Sequence, residues 1–195
     1  MAKNKLSHYS LSIIIPMINE INSLKKTIGI ISKIKCKKEC IIIISKSLTS
    51  KSTFLELQRL KKKYSNFFVY IQKKKFVGGA IAKGIEKSKY TYIAIMAADM
   101  ETNPYDLKKM VKISKYNLKA IISGDRWLNK NSFKKYSFVK LILNFLAKKI
   151  ISLFYNVNLR DFTFAYRIYP KAALSKITID ELRHGFALEL ILKPI

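Results

Sequence analysis

The chain has 195 residues, 38 Lys and Arg against 12 Asp and Glu, and a formal charge of +26. Hydrophobic residues make up 49 % and aromatics 12 %, which excludes a disordered chain and suits one domain with a real core. The charge favours polyanions: nucleic acid, an anionic membrane face or phosphorylated substrates. Ile, Lys and Asn are abundant throughout, so part of the Lys excess is also what biased codon usage gives. Cys36 and Cys40 in "KCKKEC" have no Cys or His partner nearby; free thiols are expected, neither a zinc site nor a disulfide framework. The apolar run "SIII" ends at Pro16, too short for a signal peptide, and no uninterrupted run reaches the roughly twenty residues of a membrane span.

Taken in order, Leu11–Ile15 is predicted as a buried strand by its β-branched run, followed by a helix with Ile21, Leu24, Ile28 and Ile31 on one face. Cys40–Ile44 is a second strand, and Phe54, Leu57 and Leu60 mark a second helix. Phe67–Gln72 is a third strand, and Ala80–Lys87 a helix entered through a Gly78-Gly79 loop. Tyr92–Ala97 is a fourth strand. Leu107, Met110, Val111 and Ser114 mark another helix, and Lys119–Ser123 another strand. Strands alternating with helices, apolar on both faces, predict a mostly parallel sheet with helices on both sides. No repeat or interdomain linker is visible, so residues 1–195 are read as a single domain. In the second half, Phe133–Tyr155 is a long helical pattern studded with Lys, "DFTFAYRIY" alternates like a strand, and "DELRHGFALELILK" reads as a turn and helix.

Asp99 and Glu101, in "YIAIMAADMETNP", end the fourth strand of a chain poor in acids. Ligands in parallel α/β sheets bind at the carboxyl ends of strands. In extended chain, residues two apart point the same way, and two carboxylates there suit a hard cation, Mg²⁺ or Mn²⁺. The ordinary account is capping of the next helix. Asn103, Pro104 and Asp106 already supply that, so the pair is surplus to it.

The order of motifs resembles the family-2 glycosyltransferases of the GT-A fold, dolichyl-phosphate mannosyltransferase type. "LSIIIPMINEINSLKKTI" is similar to that family's opening strand, Pro and Asn-Glu. "VGGAIAKGIEKSKYTYIAIMAADMETNP" resembles its Gly-Ala helix, strand and acidic motif. "SGDRW", "RDFTFAYRIYPKAAL" and "HGFALELILK" are similar to its Gly-Ser-Arg, Asp-x-Thr-Ser-Gly-Phe-Arg and Glu-helix segments. The blocks run in order from Leu11 to Lys193. The resemblance implies a transferase moving a sugar from a nucleotide-diphosphate donor with Mg²⁺ or Mn²⁺. It places Pro16, Asn19, Glu20, Lys46, Gly78, Gly79, Ala98 and Asp99 at the nucleotide sugar, Asp99 and Glu101 on the metal, and Asp161, Arg126 and Arg167 in catalysis. Gly78 and Gly79 would let a phosphate approach a helix N-terminus; Arg126 and Arg167 would hold phosphate groups.

Two departures stand out. The family's Asp-Ala-Asp is Ala97-Ala98-Asp99, with Glu101 replacing a Gln. The acids that contact the nucleoside are replaced by Ser45 and Lys46, and a Lys cannot accept a hydrogen bond from a base or ribose, although it can meet a phosphate. A catalytically degenerate binding protein of the same fold is the alternative these departures favour. A sugar-hydroxyl acceptor needs a carboxylate base, whereas a polyprenyl phosphate is already anionic; the scarcity of acids favours the second. With the Lys-studded stretch read as a membrane-surface helix, a cytoplasmic location at the inner face of an anionic membrane is expected. Specific nucleic-acid binding is not expected, because charge alone speaks for it. Glu189 is expected to pair with a buried Arg, and His184 is read as an ordinary exposed or satisfied histidine. The family continues past the Glu-bearing helix, so the resemblance implies a chain incomplete at its C-terminus.

Overall fold

The computed structural model describes residues 9–126, 149, 151, 153 and 161–194. The predicted surface helix over Phe133–Tyr155 falls almost entirely outside the described residues. The elements in chain order are β1 Ser10–Met17, α1 Ile21–Ile31, β2 Lys37–Ile44, α2 Lys51–Lys63, β3 Phe67–Ile71, α3 Phe76–Lys87, β4 Tyr92–Ile95, α4 Pro104–Tyr116, β5 Ile122–Ser123, β6 Arg167–Pro170, α5 Lys171–Leu174 and α6 Phe186–Leu192.

The six strands form one sheet in the order β3-β2-β1-β4-β6-β5, with β6 antiparallel to both its neighbours and the other pairings parallel. Such a sheet is buried on both faces, which is why β1 and β2 read as near-continuous Ile runs. Leu24, Ile28 and Ile31 of α1, Leu57 and Leu60 of α2, and Leu107, Met110 and Val111 of α4 cover one face. Ala80 and Ile81 of α3, Leu174 of α5, and Phe186, Ala187 and Leu190 of α6 cover the other. Each fully buried Ile or Leu contributes about 1.5–3 kcal/mol relative to exposure, so these two layers carry the fold. α3 packs so closely that a Cβ on Gly84 would lie 2.4 Å from Ile14 Cγ2.

Four expectations are corrected. Gly78 and Gly79 lie inside the first turn of α3 rather than in a loop before it. β5 is two residues long because Asn117–Ala120 forms a turn, with Ala120 N–H donating to Asn117 O. β6 begins at Arg167, because residues 161–166 are held by side chains and not by a strand partner over their full length. Phe54, assigned to a buried face, is exposed while Leu57 and Leu60 are buried.

β1 and β4 separate at their carboxyl ends. Their pairing stops at Ile14↔Ile95, while β1 continues beside β2 to Met17↔Ile44. Pro16 falls in this overhang, where its missing N–H interrupts no ladder with β4; that is how a central strand tolerates it. The order of strand addition also reverses here, running outward from β1 to β2 and β3 on one side and then to β4 on the other, so the split is the topological switch point. Cys40 is buried within β2 and Cys36 is half-buried just before it; both are free thiols. Burial pushes the Cys40 thiol up to about 12.

Candidate active site

Five chain segments meet the carboxyl edge of the sheet: 16–20 after β1, 45–50 after β2, 72–75 after β3, 96–103 after β4 and 124–126 after β5. Residues 161–166, before the antiparallel β6, join them.

After β1, the Glu20 carboxylate accepts the N–H groups of Ile18 (2.7 Å) and Asn19 (3.0 Å). Asn19 crosses to the next loop: its Oδ1 accepts Ser50 N–H (2.9 Å) and its Nδ2 donates to Leu48 O (3.2 Å). Neither side chain caps α1. They fix the geometry of two adjoining loops. Ser50 caps α2 by accepting Thr53 N–H, and Lys46 stands exposed at the tip of the same loop.

The loop after β4 is bent where extended chain was expected. Thr102 Oγ1 accepts Ala97 N–H at 3.0 Å and is buried, closing the loop at its base. Met100 has φ 70°, a left-handed conformation that costs a non-glycine residue roughly 1–2 kcal/mol. Its sulfur accepts the Thr27 hydroxyl of α1 at 3.2 Å, so Met100 is tethered inward and Asp99 and Glu101 are both exposed on either side of it. Asp99 Oδ1 accepts Glu101 N–H at 3.0 Å, a local Asx turn, and among the described residues Oδ2 has no internal partner. Ala98, assigned to the nucleotide sugar, buries its side chain in the core and offers only backbone.

Hard oxygen donors suit Mg²⁺ or Mn²⁺. Among the described residues no group of three His, Cys, Asp or Glu is placed to hold a metal. One or two carboxylates with the remaining positions left to phosphate and water is how such ions are commonly held at diphosphates. Asp99 and Glu101 fit that donor set.

The far side of the edge is a closed polar network. Asp161 is buried and takes a two-pronged ion pair from Arg126, Nε to Oδ2 at 2.8 Å and Nη2 to Oδ1 at 3.0 Å. Arg126 Nη2 also donates to Thr163 Oγ1 at 2.7 Å, and its guanidinium lies 4.8 Å from the Phe164 ring centre. Phe164 N–H and Thr163 Oγ1–H donate to Asp161 Oδ1. Burial alone would raise the Asp161 carboxyl, but Arg126, Thr163 and the Phe164 N–H outweigh it and hold it below the usual Asp range. The Asp161 carboxylate thus holds its own turn through Phe164 N–H and is brought to Arg126.

Arg167 is corrected most. Expected at a phosphate, it is 0 % exposed. Its guanidinium donates to Asp161 O, Phe162 O, Ala187 O, Ser123 Oγ and Tyr169 Oη. No carboxylate pairs with it among the described residues. It ties β5, α6 and the Asp161 turn together and cannot touch a ligand in this arrangement.

Gly78 and Gly79 also serve the fold. Gly78 N–H donates to Leu182 O at 2.7 Å, and a Cβ there would lie 2.6 Å from Glu181 O. A Cβ on Gly79 would lie 2.4 Å from Lys74 O. The close approach is by the protein's own 181–182 backbone. That segment is clamped by Glu189, which accepts Asp180 and Glu181 N–H at 3.0 Å each and pairs with Lys193, in place of the expected Arg. His184 is exposed.

Thr102, Tyr166 and Thr163 were missed by sequence reasoning. Tyr166 donates its hydroxyl to Asn103 O, joining β6's approach to the cap of α4. Nothing in a lone Thr or Tyr marks it before the loops are folded. The one signal was the place of Thr102 and Thr163, three and two residues from Asp99 and Asp161; Tyr166 lies further off.

A mixed, mostly parallel sheet with acids at the switch point is an α/β fold with a ligand-binding carboxyl edge. The family model "Glycosyl transferase family 2" matches residues 12–178, and the chain belongs to that family. Solved structures share the fold at low identity. Glucosyl-3-phosphoglycerate synthase from Mycobacterium tuberculosis is 12 % identical with TM-score 0.71, covering 97 % of this chain and 68 % of that one. The same synthase in complex with Mn²⁺, UDP-glucose and phosphoglyceric acid is 10 % identical with TM-score 0.70, over 97 % and 66 %. S. aureus TarS, residues 1–349, is 15 % identical with TM-score 0.61, over 93 % and 55 %. In its complex with UDP the synthase is likewise covered over 66 % of its length, so this chain spans about two-thirds of that structure.

Proposed function

We propose that this chain transfers a sugar from a nucleotide-diphosphate donor, with a divalent cation at Asp99 and Glu101, to a polyprenyl phosphate or a related glycan acceptor, in the manner of the dolichyl-phosphate mannosyltransferase type. The observation that carries the reading is the loop after β4. Met100 is held inward at a left-handed φ, so both carboxylates are presented at the switch point of a family-2 chain. The synthase with which this chain shares its fold has a complex with Mn²⁺ and UDP-glucose, which supports the donor class.

A cation held there would neutralise the diphosphate and help it leave. Asn19 sets the positions of the β1 and β2 loops around the donor, and Lys46 meets a phosphate where the family's acids would have met the nucleoside. Asp161, held low by Arg126, is a poor base. A hydroxyl acceptor would need a base; a lipid phosphate attacks as an anion without one. That supports a lipid-phosphate acceptor, presented at the inner face of an anionic membrane.

The second reading is a binding protein of this fold without catalysis, favoured by Ser45-Lys46 and by the closed Arg126–Asp161 pair. A thermal-shift screen of nucleoside diphosphates and their sugars, with and without Mn²⁺, separates the two at the binding step, followed by donor turnover. A Mn²⁺-dependent shift lost in Asp99→Ala, together with release of the diphosphate, is the expected result. Binding that ignores both Mn²⁺ and Asp99→Ala removes the metal assignment, and binding without turnover of any sugar donor favours the second reading.

A further inference from the structure

Exposed large apolar side chains are normal when scattered and informative when gathered. Ten are exposed among the described residues, and six of them, Ile18, Leu48, Phe54, Leu55, Ile71 and Phe76, lie on the β2–β3 half of the carboxyl edge or in the first two turns of the helices that start there. Leu48 is 60 % exposed, Leu55 61 % and Phe76 49 %. Hydrogen bonds join the loops that carry four of them, Ile18, Leu48, Ile71 and Phe76. Asn19 Nδ2, next to Ile18, donates to Leu48 O. Gln72 N–H, next to Ile71, donates to Ile44 O, and Gln72 Nε2 reaches Phe76 O. Phe76 has φ 60°, a strained conformation for an aromatic residue, and carries Arg183 4.5 Å from its ring centre.

Within residues 45–55 and 71–85 the charges are all positive; the acids nearest the rim are Glu20, which accepts Ile18 N–H, and Asp180, whose carboxyl is lowered by Lys193 and in part by Lys74. Lys46, Lys51, Lys73, Lys74 and Lys75 are all exposed. No Asp or Glu occurs in residues 45–55 or 71–85; the first acids beyond them are Glu56 and Glu86. A nucleotide would use the lysines but has no need of exposed Leu48 and Leu55. A nucleic acid likewise calls for charge, not aliphatic side chains. The headgroup layer of an anionic bilayer takes both at once, apolar side chains at the acyl boundary and lysines among the phosphates.

We infer that the β2–β3 rim is a docking surface for an anionic membrane, independent of the Lys-studded stretch at 133–155. It deepens the membrane-side reading above and rests on it only for the acceptor; the docking itself is tested without any substrate. Docking there would bring the carboxyl edge, with Lys46 and the Asp99 loop, to the headgroup layer.

The test is cosedimentation of the full chain with phosphatidylglycerol–phosphatidylcholine vesicles, and with phosphatidylcholine alone, at low and high salt. Three variants are compared: K73Q/K74Q/K75Q, L48S/L55S, and K134Q/K135Q/K148Q/K149Q, each checked for an unchanged melting curve. Wild type is expected to bind anionic vesicles at low salt and to leave them at high salt. The three-lysine rim variant should lose roughly tenfold or more in partitioning, and the two-leucine variant a comparable amount. The helix variant should keep most of the binding. Absence of wild-type binding overturns the inference and leaves sugar transfer to the nucleotide screen. Loss confined to the helix variant overturns it in favour of 133–155. A rim that loses vesicles on lysine replacement but not on leucine replacement is a charge patch only, which overturns it as well; the same holds if wild type prefers a polyribonucleotide to the vesicles.

Discussion

The two halves of the carboxyl edge are built on opposite plans. On the β5–β6 side the arginines are turned inward and satisfied by the protein itself: Arg126 by Asp161 and Thr163, Arg167 by carbonyls of two segments. On the β2–β3 half the lysines stand in solvent between apolar side chains, and the loops are held by Asn19 and Gln72 instead of by ion pairs. A buried polar network fixes geometry whether or not a ligand is present, since each member left alone in a low-dielectric interior is costly. Exposed lysines fix nothing and wait for an anion. Their stability and binding responses should therefore come apart.

Arg167→Met should produce the largest effect. It leaves the carbonyls of Asp161, Phe162 and Ala187 buried without their donor, and a loss of about 3–5 kcal/mol is expected in urea unfolding. A loss under about 1 kcal/mol would mean that water replaces the guanidinium and that the inward plan is not rigid. Gly78→Ala comes next. Its Cβ would press on the 181–182 backbone, for roughly 1–3 kcal/mol of overpacking. If the melting curve is unchanged, that segment yields and the cover over α3 is soft.

The pH response is the third contrast. Asp161 is held below the ordinary Asp range in the folded chain, so its contribution is present above the unfolded pKa and is lost as pH falls through the folded value. Wild type should lose stability on acidification more steeply than Asp161→Asn between neutral pH and the acid side of the usual Asp range. Parallel curves would show that Arg126 contributes nothing through this pair. The smallest effect belongs to the open half. K73Q/K74Q/K75Q should change unfolding stability by no more than about 0.5 kcal/mol. A larger change would mean these lysines hold the loop, and the contrast between the halves would fail.

The difference also explains what could be read from the sequence. α1 was legible to the residue and the four parallel strands to within a few, because periodicity and Ile runs record burial directly. Lys46, Asp99 and Glu101 follow strands β2 and β4, as the strand ends in the sequence predicted, and all three are exposed. The place of Arg167 was not legible. An Arg flanked by Tyr and Ile reads equally as a phosphate ligand or as a core cation, and the choice depends on carbonyls from residues 161, 162 and 187 that only the fold assembles. Gly78-Gly79 misled for a related reason: close approach was read correctly, but the approaching backbone belongs to residues 181–182 of the same chain and to Lys74. The bend at Met100 could not be foreseen, since its cause is a hydroxyl on α1, 73 residues away.

Cys40, in the middle of β2, gives the fold a built-in clock. Alkylating reagents attack the thiolate, and a thiol raised to about 12 inside a closed sheet offers almost none at neutral pH. Half-buried Cys36 is also raised, first by burial, but it lies at the end of the strand where fraying reaches it. Timed labelling followed by mass measurement should therefore add one adduct early and the second only when the sheet opens. The interval between the two reads how far local breathing lies from global unfolding, with no probe introduced.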